Sequence, residues 1–213
     1  MLANKTRVSD GRGRPRKITL QARKLPGQAR SQETVSALLE ASARILESEG
    51  LRGFNTNAIA TKAGVSVGSL YQYFPNKDAI VRTLIDSFEE ALLNAVKQAV
   101  QSEKRKGLKA RLRLLVRALV NIHYRRSRLN RVLETEEERL GISGEDAAFH
   151  SLVLKLLREH RHEVAIPLSA TTEQVMMTIL RAVVDLGLRS GMSPGSTEQQ
   201  AMRAICGYLR HGR

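Results

Sequence analysis

From Asn55 to Lys77 the chain reads NTNAIATKAGVSVGSLYQYFPNK. The side chains here suit recognition rather than catalysis. Ser66, Val67, Gly68, Ser69, Tyr71, Gln72 and Tyr73 are small or hydrogen-bonding, and none carries a charge. A DNA major groove needs short side chains to admit a helix and polar tips to read base edges. Gln72, and Asn57 upstream, match the paired donor and acceptor of adenine; a solvated surface position is the other reading of Asn57. The Tyr71 and Tyr73 hydroxyls can reach phosphate oxygens, although Tyr71 fits the core equally well. Thr56 can cap a helix and offer its N–H and hydroxyl to a phosphate. Lys77, in the first turn of the next helix, opposes the helix dipole at a cost of roughly 0.3–1 kcal/mol. A phosphate facing it would reverse that cost.

These residues need two short helices to hold them. Ile59, Ala60 and Ala63 share one helical face, and Gly64 breaks that helix. Val65 closes the corner from inside. Ser66 caps the second helix, where Leu70 and Phe74 fall four apart on one side. Asn76 caps the helix after it. Two short helices joined by a Gly-containing turn make a helix-turn-helix. Four of the eight aromatic residues (Phe54, Tyr71, Tyr73, Phe74) lie in this stretch. Phe54 and Phe74 are expected to fill its small core.

The spacing T-x-x-I-A-x-x-A-G-V-S-x-G-S-L-Y-x-Y-F-x-x-K, from Thr56 to Lys77, resembles the tetracycline-repressor (TetR) family of bacterial transcription regulators. The resemblance runs from Gly50 and Phe54 to about Ile80. Beyond it, the chain matches that family only in helix count, length and order. The resemblance implies an all-helical homodimer with an N-terminal DNA-binding domain. It also implies a C-terminal domain that senses a small-molecule effector and dimerises.

The 213 residues carry a net charge of +14, so a polyanion is the first partner to consider. Nine Lys or Arg against Asp10 alone place more than half of that charge in residues 1–30. This arm has little apolar periodicity and no evident reason to fold by itself. Its G-R-G-R-P-R-K core looks like an AT-hook, with Arg12, Arg14 and Arg16 along the floor of a narrow A·T minor groove. A solvated basic tail is the alternative. The single cysteine, Cys206, points to a reducing compartment. No leader with an apolar centre and no apolar run of membrane-spanning length is present, so a cytoplasmic, nucleoid-associated protein with no membrane partner is expected.

Scarce proline and the absence of strand-like alternation predict an all-α fold. The expected division is 1–30 as basic arm, 31–83 as a three-helix helix-turn-helix domain and 84–213 as a helical ligand-sensing and dimerisation domain. Ser31 starts the first helix, and Gly50 ends it in a left-handed conformation. A long helix follows from Asn76 to about Glu103, then helices at Leu108 to Arg126, Ser127 to Leu140, and beyond Ser143. Thr171-Thr172-Glu173-Gln174 and Ser196-Thr197-Glu198-Gln199 are read as capping boxes for the last two helices.

The first of those two is apolar around more than one face. With the resemblance, this places a dimer interface at Met176, Ile179, Val183, Leu186, Ile205 and Leu209. A ligand pocket would lie among helices at 88–101, 108–126 and 145–160. Arg117, His123, Tyr124 and His150 are the polar candidates in otherwise apolar stretches. His160 and His162 beside Glu159 and Glu163 could suggest a metal, but charge surrounds that helix, so no metal and no cofactor is expected; Glu134 to Arg139 is a charge run read as a solvated face. No nucleophile elbow, phosphate loop or metal-ligand spacing is present, so an enzyme is not expected. The expected function is a ligand-responsive repressor, binding double-stranded DNA at a palindromic operator as a homodimer. An architectural A·T-preferring DNA binder led by the basic arm is the alternative.

Overall fold

The computed structural model describes residues 5–9, 15–22, 29–101, 106–142 and 147–210. Nine α-helices account for most of these residues. They are α1 (Ala29–Gly53), α2 (Thr56–Ala63), α3 (Val67–Tyr73), α4 (Lys77–Gln101) and α5 (Leu108–Arg125), then α6 (Ser127–Leu140), α7 (Ala147–Glu159), α8 (Ala170–Arg189) and α9 (Pro194–Arg210). The all-α expectation therefore holds. Part of the N-terminal arm departs from it. Strand β1 (Lys5–Ser9) pairs antiparallel with β2 (Pro15–Thr19), in a register that sets Arg7 opposite Lys17. Arg12 and Arg14 lie outside the described residues, and Arg16 falls within β2.

The chain forms two compact units. The first, the head, comprises Met1–Phe88 and Arg128–Gly144; the second comprises Glu89–Ser127 and Glu145–Arg213. The sequence boundary at 83/84 thus differs from these units, which bring residues 128–144 into the head. Packing explains the difference. Leu129, Leu133 and Leu140 of α6 repeat at helical spacing and are buried in the same apolar cluster as Leu38, Phe54, Ile59, Leu70, Phe74 and Ile80. Periodicity shows that α6 has an apolar face but does not say which core receives it. Leu20, just after β2, is buried in that cluster too.

Several caps stand elsewhere than expected. Gly50 does take a positive φ of 64°, but α1 kinks there and continues to Gly53 rather than ending. Asn55, not Thr56, caps α2: its side chain accepts the Ala58 N–H at 2.9 Å. Asn ranks above Thr as a cap, and Thr56 becomes the first helical residue. The two boxes read at Thr171 and Ser196 are also displaced. Ser169 caps α8 in a capping box with Thr172, and Ser193 accepts the Ser196 N–H ahead of α9. Pro194 favours that earlier start, because its fixed φ suits the first helical position. The capping partners expected from sequence, Gln174 and Gln199, therefore fall outside the observed caps.

The second unit has its own core. Val96, Leu112, Leu115, Val116, Leu119, Val153, Leu156, Met176, Leu180, Ala201, Met202 and Ile205 are buried together. At one corner stands Arg111, only 2% exposed. Its Nη1 donates to Glu159 Oε2 at 2.8 Å and to His160 Nε2 at 2.9 Å, and its Nη2 donates to the Val100 carbonyl. Arginine only donates, so His160 Nε2 accepts and Nδ1 carries the proton. Nδ1 then donates to Glu163 Oε1 at 2.9 Å, which also accepts the Leu108 N–H at 2.9 Å. One cluster therefore closes the C-terminal end of α4 and the N-terminal end of α5.

Candidate nucleic-acid interface

The corner between α2 and α3 is built as its residues dictate. Gly64 ends α2 in the left-handed region at φ 70°, ψ 29°. Its N–H is held by the Ala60 and Thr61 carbonyls, and the Val65 N–H reaches Ala60 O at 3.0 Å. A side chain with Cβ is disfavoured in this conformation. Ser66 then caps α3, its Oγ accepting the Ser69 N–H at 3.0 Å and lying 2.8 Å from Ser69 Oγ. Leu70 and Phe74 are fully buried, which fixes the rotation of α3 about its axis. What remains outward is Ser66, Gly68, Tyr71 and Gln72, all exposed, with Val67 and Ser69 half-buried.

The two tyrosines separate. Tyr71 is 41% exposed, and its hydroxyl lies 3.4 Å from Thr56 Oγ1. Tyr73 is half-buried and packs against the head's apolar cluster, so Tyr71 is the phenol better placed to meet an incoming group. Asn57 is exposed on α2. Asn76 caps α4 through Ala79 N–H at 2.8 Å, leaving Lys77 exposed in the first turn. Asp78 beside it is held at 2.6 Å by Arg139 of α6, which also grips the buried Glu136. Thr56, Asn57, Ser66, Gly68, Ser69, Tyr71, Gln72 and Lys77 are thus carried by the first turns of α2 and α4 and by α3. Gly68 is open as well: a Cβ there would meet only Ser66 Oγ, at 3.8 Å.

Residues 38–84 match the family model described as bacterial regulatory proteins, tetR family. Over these residues the head is similar to the tetR family. Curated relatives include the nucleoid occlusion factor SlmA of Vibrio atlanticus and of Escherichia coli, each 34% identical over 97 residues. That match covers 45% of this chain and 48% of the relative, so the chain spans about half the length of the curated relatives it matches. Among solved structures, a TetR-family transcription regulator from Marinobacter aquaeolei superposes with a TM-score of 0.65 at 21% identity, covering 84% of this chain and 97% of the other. A protein of unknown function from Rhodococcus gives 0.67 at 18% identity, covering 84% and 96%. At those identities the likeness shows the fold, which extends well beyond residues 38–84.

The four polar residues proposed from sequence for a ligand pocket are scattered in the second unit. Arg117 is exposed and forks onto Glu198 at 2.9 and 3.2 Å. The Tyr124 hydroxyl is spent on Met192 O at 3.1 Å and Thr197 Oγ1 at 2.6 Å. His123 is held below its ordinary pKa, first by burial and then by the charge of Arg181, with Asp185 opposing. His150 alone meets a buried carboxylate, Glu173, at 2.7 Å. Sequence reasoning missed Glu173, which it passed over as an interior position of the box read from Thr171 to Gln174. The available signal was its spacing: 173, 176, 180 and 184 form one helical stripe, all buried.

The apolar residues of α8 and α9 divide by face. Met176, Ile205 and Leu209 are buried in the unit's own core. Ile179 and Val183 are half-buried, and Leu186 is 58% exposed. With the exposed Val175 they form an open apolar strip along α8.

Proposed function

We propose that the chain is a sequence-specific DNA-binding transcriptional regulator, acting as a homodimer on a palindromic site and responding to a small-molecule effector in its second unit. The observation that carries this reading is the uncharged outer face of α3, with its unobstructed Gly68, beside a cationic Lys77. A charge-free, narrow helix fits between base edges, while the surrounding cations supply non-specific attraction. Repression is the expected outcome, because a helix seated in a promoter excludes other proteins from it.

The strip Val175, Ile179, Val183 and Leu186 is the proposed contact with a second copy. Two copies would present their α3 helices to half-sites about 34–36 Å apart, or a multiple of that distance. An effector can release DNA only by binding one arrangement of the dimer better than the other. No helix among the described residues is long and apolar enough to cross a membrane, which is compatible with action on the nucleoid.

The test is selection of fragments from genomic DNA by the full chain at physiological salt, followed by footprinting. Discrete two-fold-symmetric protection is expected. Protection spread over A·T-rich DNA without symmetry would overturn the reading.

A further inference from the structure

Two glutamates are buried in the described residues, Glu136 in the head and Glu173 in the second unit. They are treated very differently. Both oxygens of Glu136 receive N–H groups from the Arg139 guanidinium, at 2.6 to 3.0 Å. Glu173 is 1% exposed, yet only its Oε2 is engaged, by His150 Nδ1 at 2.7 Å. Its Oε1 is buried and has no hydrogen-bond partner. The vacancy does not depend on protonation. An ionised Oε1 needs a donor, and a protonated one needs an acceptor.

Glu173 stands in the first turn of α8, where the helix dipole favours a carboxylate, but its surroundings are apolar. Glu173 begins the buried stripe that continues as Met176, Leu180 and Val184. Across from it, α7 contributes Val153, Leu156 and Leu157 to the same apolar core. Buried carboxylates are retained when something pairs with them. Here the protein supplies one ring nitrogen, and His150 keeps 28% exposure, so the pair reaches solvent on that side.

We propose that Glu173 Oε1 is the anchoring acceptor of the effector site, and that the effector is a cationic nitrogen on an apolar body. This rests on the reading that the second unit senses an effector. The class follows from three features. The unpartnered atom is a buried carboxylate oxygen, charge-assisted bonds are the strongest it can accept, and the other buried glutamate is matched by a cation. His150 positions the carboxylate through Oε2 and leaves Oε1 for the ligand. A carboxylate-bearing ligand would meet like charge and is disfavoured.

The test uses three probes with one apolar body: 1-naphthylmethylammonium, 1-naphthalenemethanol and 1-naphthoate. Binding to the full chain is measured by calorimetry without DNA. The ammonium is expected to bind at least tenfold more tightly than the naphthoate. Glu173→Gln should abolish that preference while leaving the alcohol's affinity within about twofold. Thermal unfolding of Glu173→Gln should stay close to the parent value, because the amide keeps the side chain's shape and its oxygen can still meet His150. Equal affinity for ammonium and naphthoate, no ammonium binding, or an ammonium affinity unchanged in Glu173→Gln would each overturn the proposal. Release of operator DNA is measured separately. Ammonium binding without release would retain the site and count against effector control.

Discussion

The Tyr71 hydroxyl lies 3.4 Å from the Thr56 Oγ1, bridging α3 to the first turn of α2. Two substitutions in sequence roles make this meeting possible. Asn55 takes over the cap of α2, so the Thr56 hydroxyl is not spent on the backbone. Burial of Leu70 and Phe74 turns Tyr71 outward. On the proposed function, the two hydroxyls would face one phosphate together.

Tyr71→Phe is expected to weaken DNA binding by about 1 kcal/mol, roughly fivefold, for operator and competitor DNA alike. The salt dependence should not change, because no charge is lost. Lys77→Ala should also weaken all sequences and should in addition lower the slope of log K against log salt by about one. Titrations at several salt concentrations separate the two. A normal slope for Lys77→Ala would place that lysine away from the phosphates.

Gly64 and Gly68 should respond oppositely to alanine. Gly64 has a φ of 70° and no neighbour near its would-be Cβ. Gly64→Ala therefore costs about 1–2 kcal/mol of folding stability through backbone strain alone. Gly68 lies inside α3 with only an ordinary contact to Ser66 Oγ. Gly68→Ala should hold or raise stability by up to about 1 kcal/mol, while reducing operator affinity by removing the space for a base pair. Thermal melts and gel shifts on both variants check this. A Gly68→Ala protein with undiminished operator binding would mean that α3 does not approach DNA at that turn.

The helix-turn-helix was legible because its determinants are local. A glycine corner, a serine cap and a four-residue apolar spacing lie within a few residues of one another and leave little choice of structure. What sequence could not supply was partnership over distance. The apolar stripe of α6 announces a buried face, but 129, 133 and 140 do not name the head as its destination. Arg111 reads as one more outward arginine on a basic helix, and only the fold brings Val100, Glu159 and His160 around it. Caps were misplaced by two or three residues where serines and threonines stood close together, as at Ser169 and Thr171 and at Ser193 and Ser196. At Glu173 a local motif concealed a helical period.

Acidification should destabilise the second unit in two stages. His123 is held below its ordinary value, foremost by burial, so near pH ~6.5 the unfolded chain binds more protons than the folded one. Stability is complete above that value and declines as pH falls from it towards the lower folded value. Glu159 is held below the carboxylate range foremost by the Arg111 hydrogen bond, and Glu163 foremost by the Leu108 N–H. Their contribution is present above about pH 4.5 and is lost below it. Melting temperature against pH should show both declines. His123→Gln should remove the first, and its persistence would assign that decline to another histidine.

Leu186→Glu should leave the subunit folded, since the side chain is 58% exposed. A buried interface would be disrupted by the new charge. The expected result is a shift from dimer to monomer in sedimentation, with operator affinity falling far more than binding to a single half-site. Leu180→Glu is the contrast: Leu180 is buried in the subunit core, and its replacement should unfold the unit rather than split a dimer. A Leu186→Glu protein that remains dimeric would move the interface off this strip.

Arg111→Met tests the polar corner of the second unit. The methionine conserves apolar length but removes every donor, leaving the Val100 carbonyl, His160 Nε2 and Glu159 without the guanidinium. Loss of one member of a fully buried pair costs about 3–5 kcal/mol, and the solvated Glu159 lowers the expectation here to about 2–4 kcal/mol. The loss should fall on the junction of α4 and α5, because the cluster ties Val100 at the end of one to Leu108 at the start of the other. Hydrogen exchange at Leu108 and in the last turn of α4 should quicken more than exchange in α8 or α9. Arg111→Lys restores the charge but not the fork, which must reach a carbonyl, a carboxylate and an imidazole at once. It should therefore recover less than half of the loss. Full recovery by lysine would mean that charge alone, and not the directed hydrogen bonds, holds the junction closed.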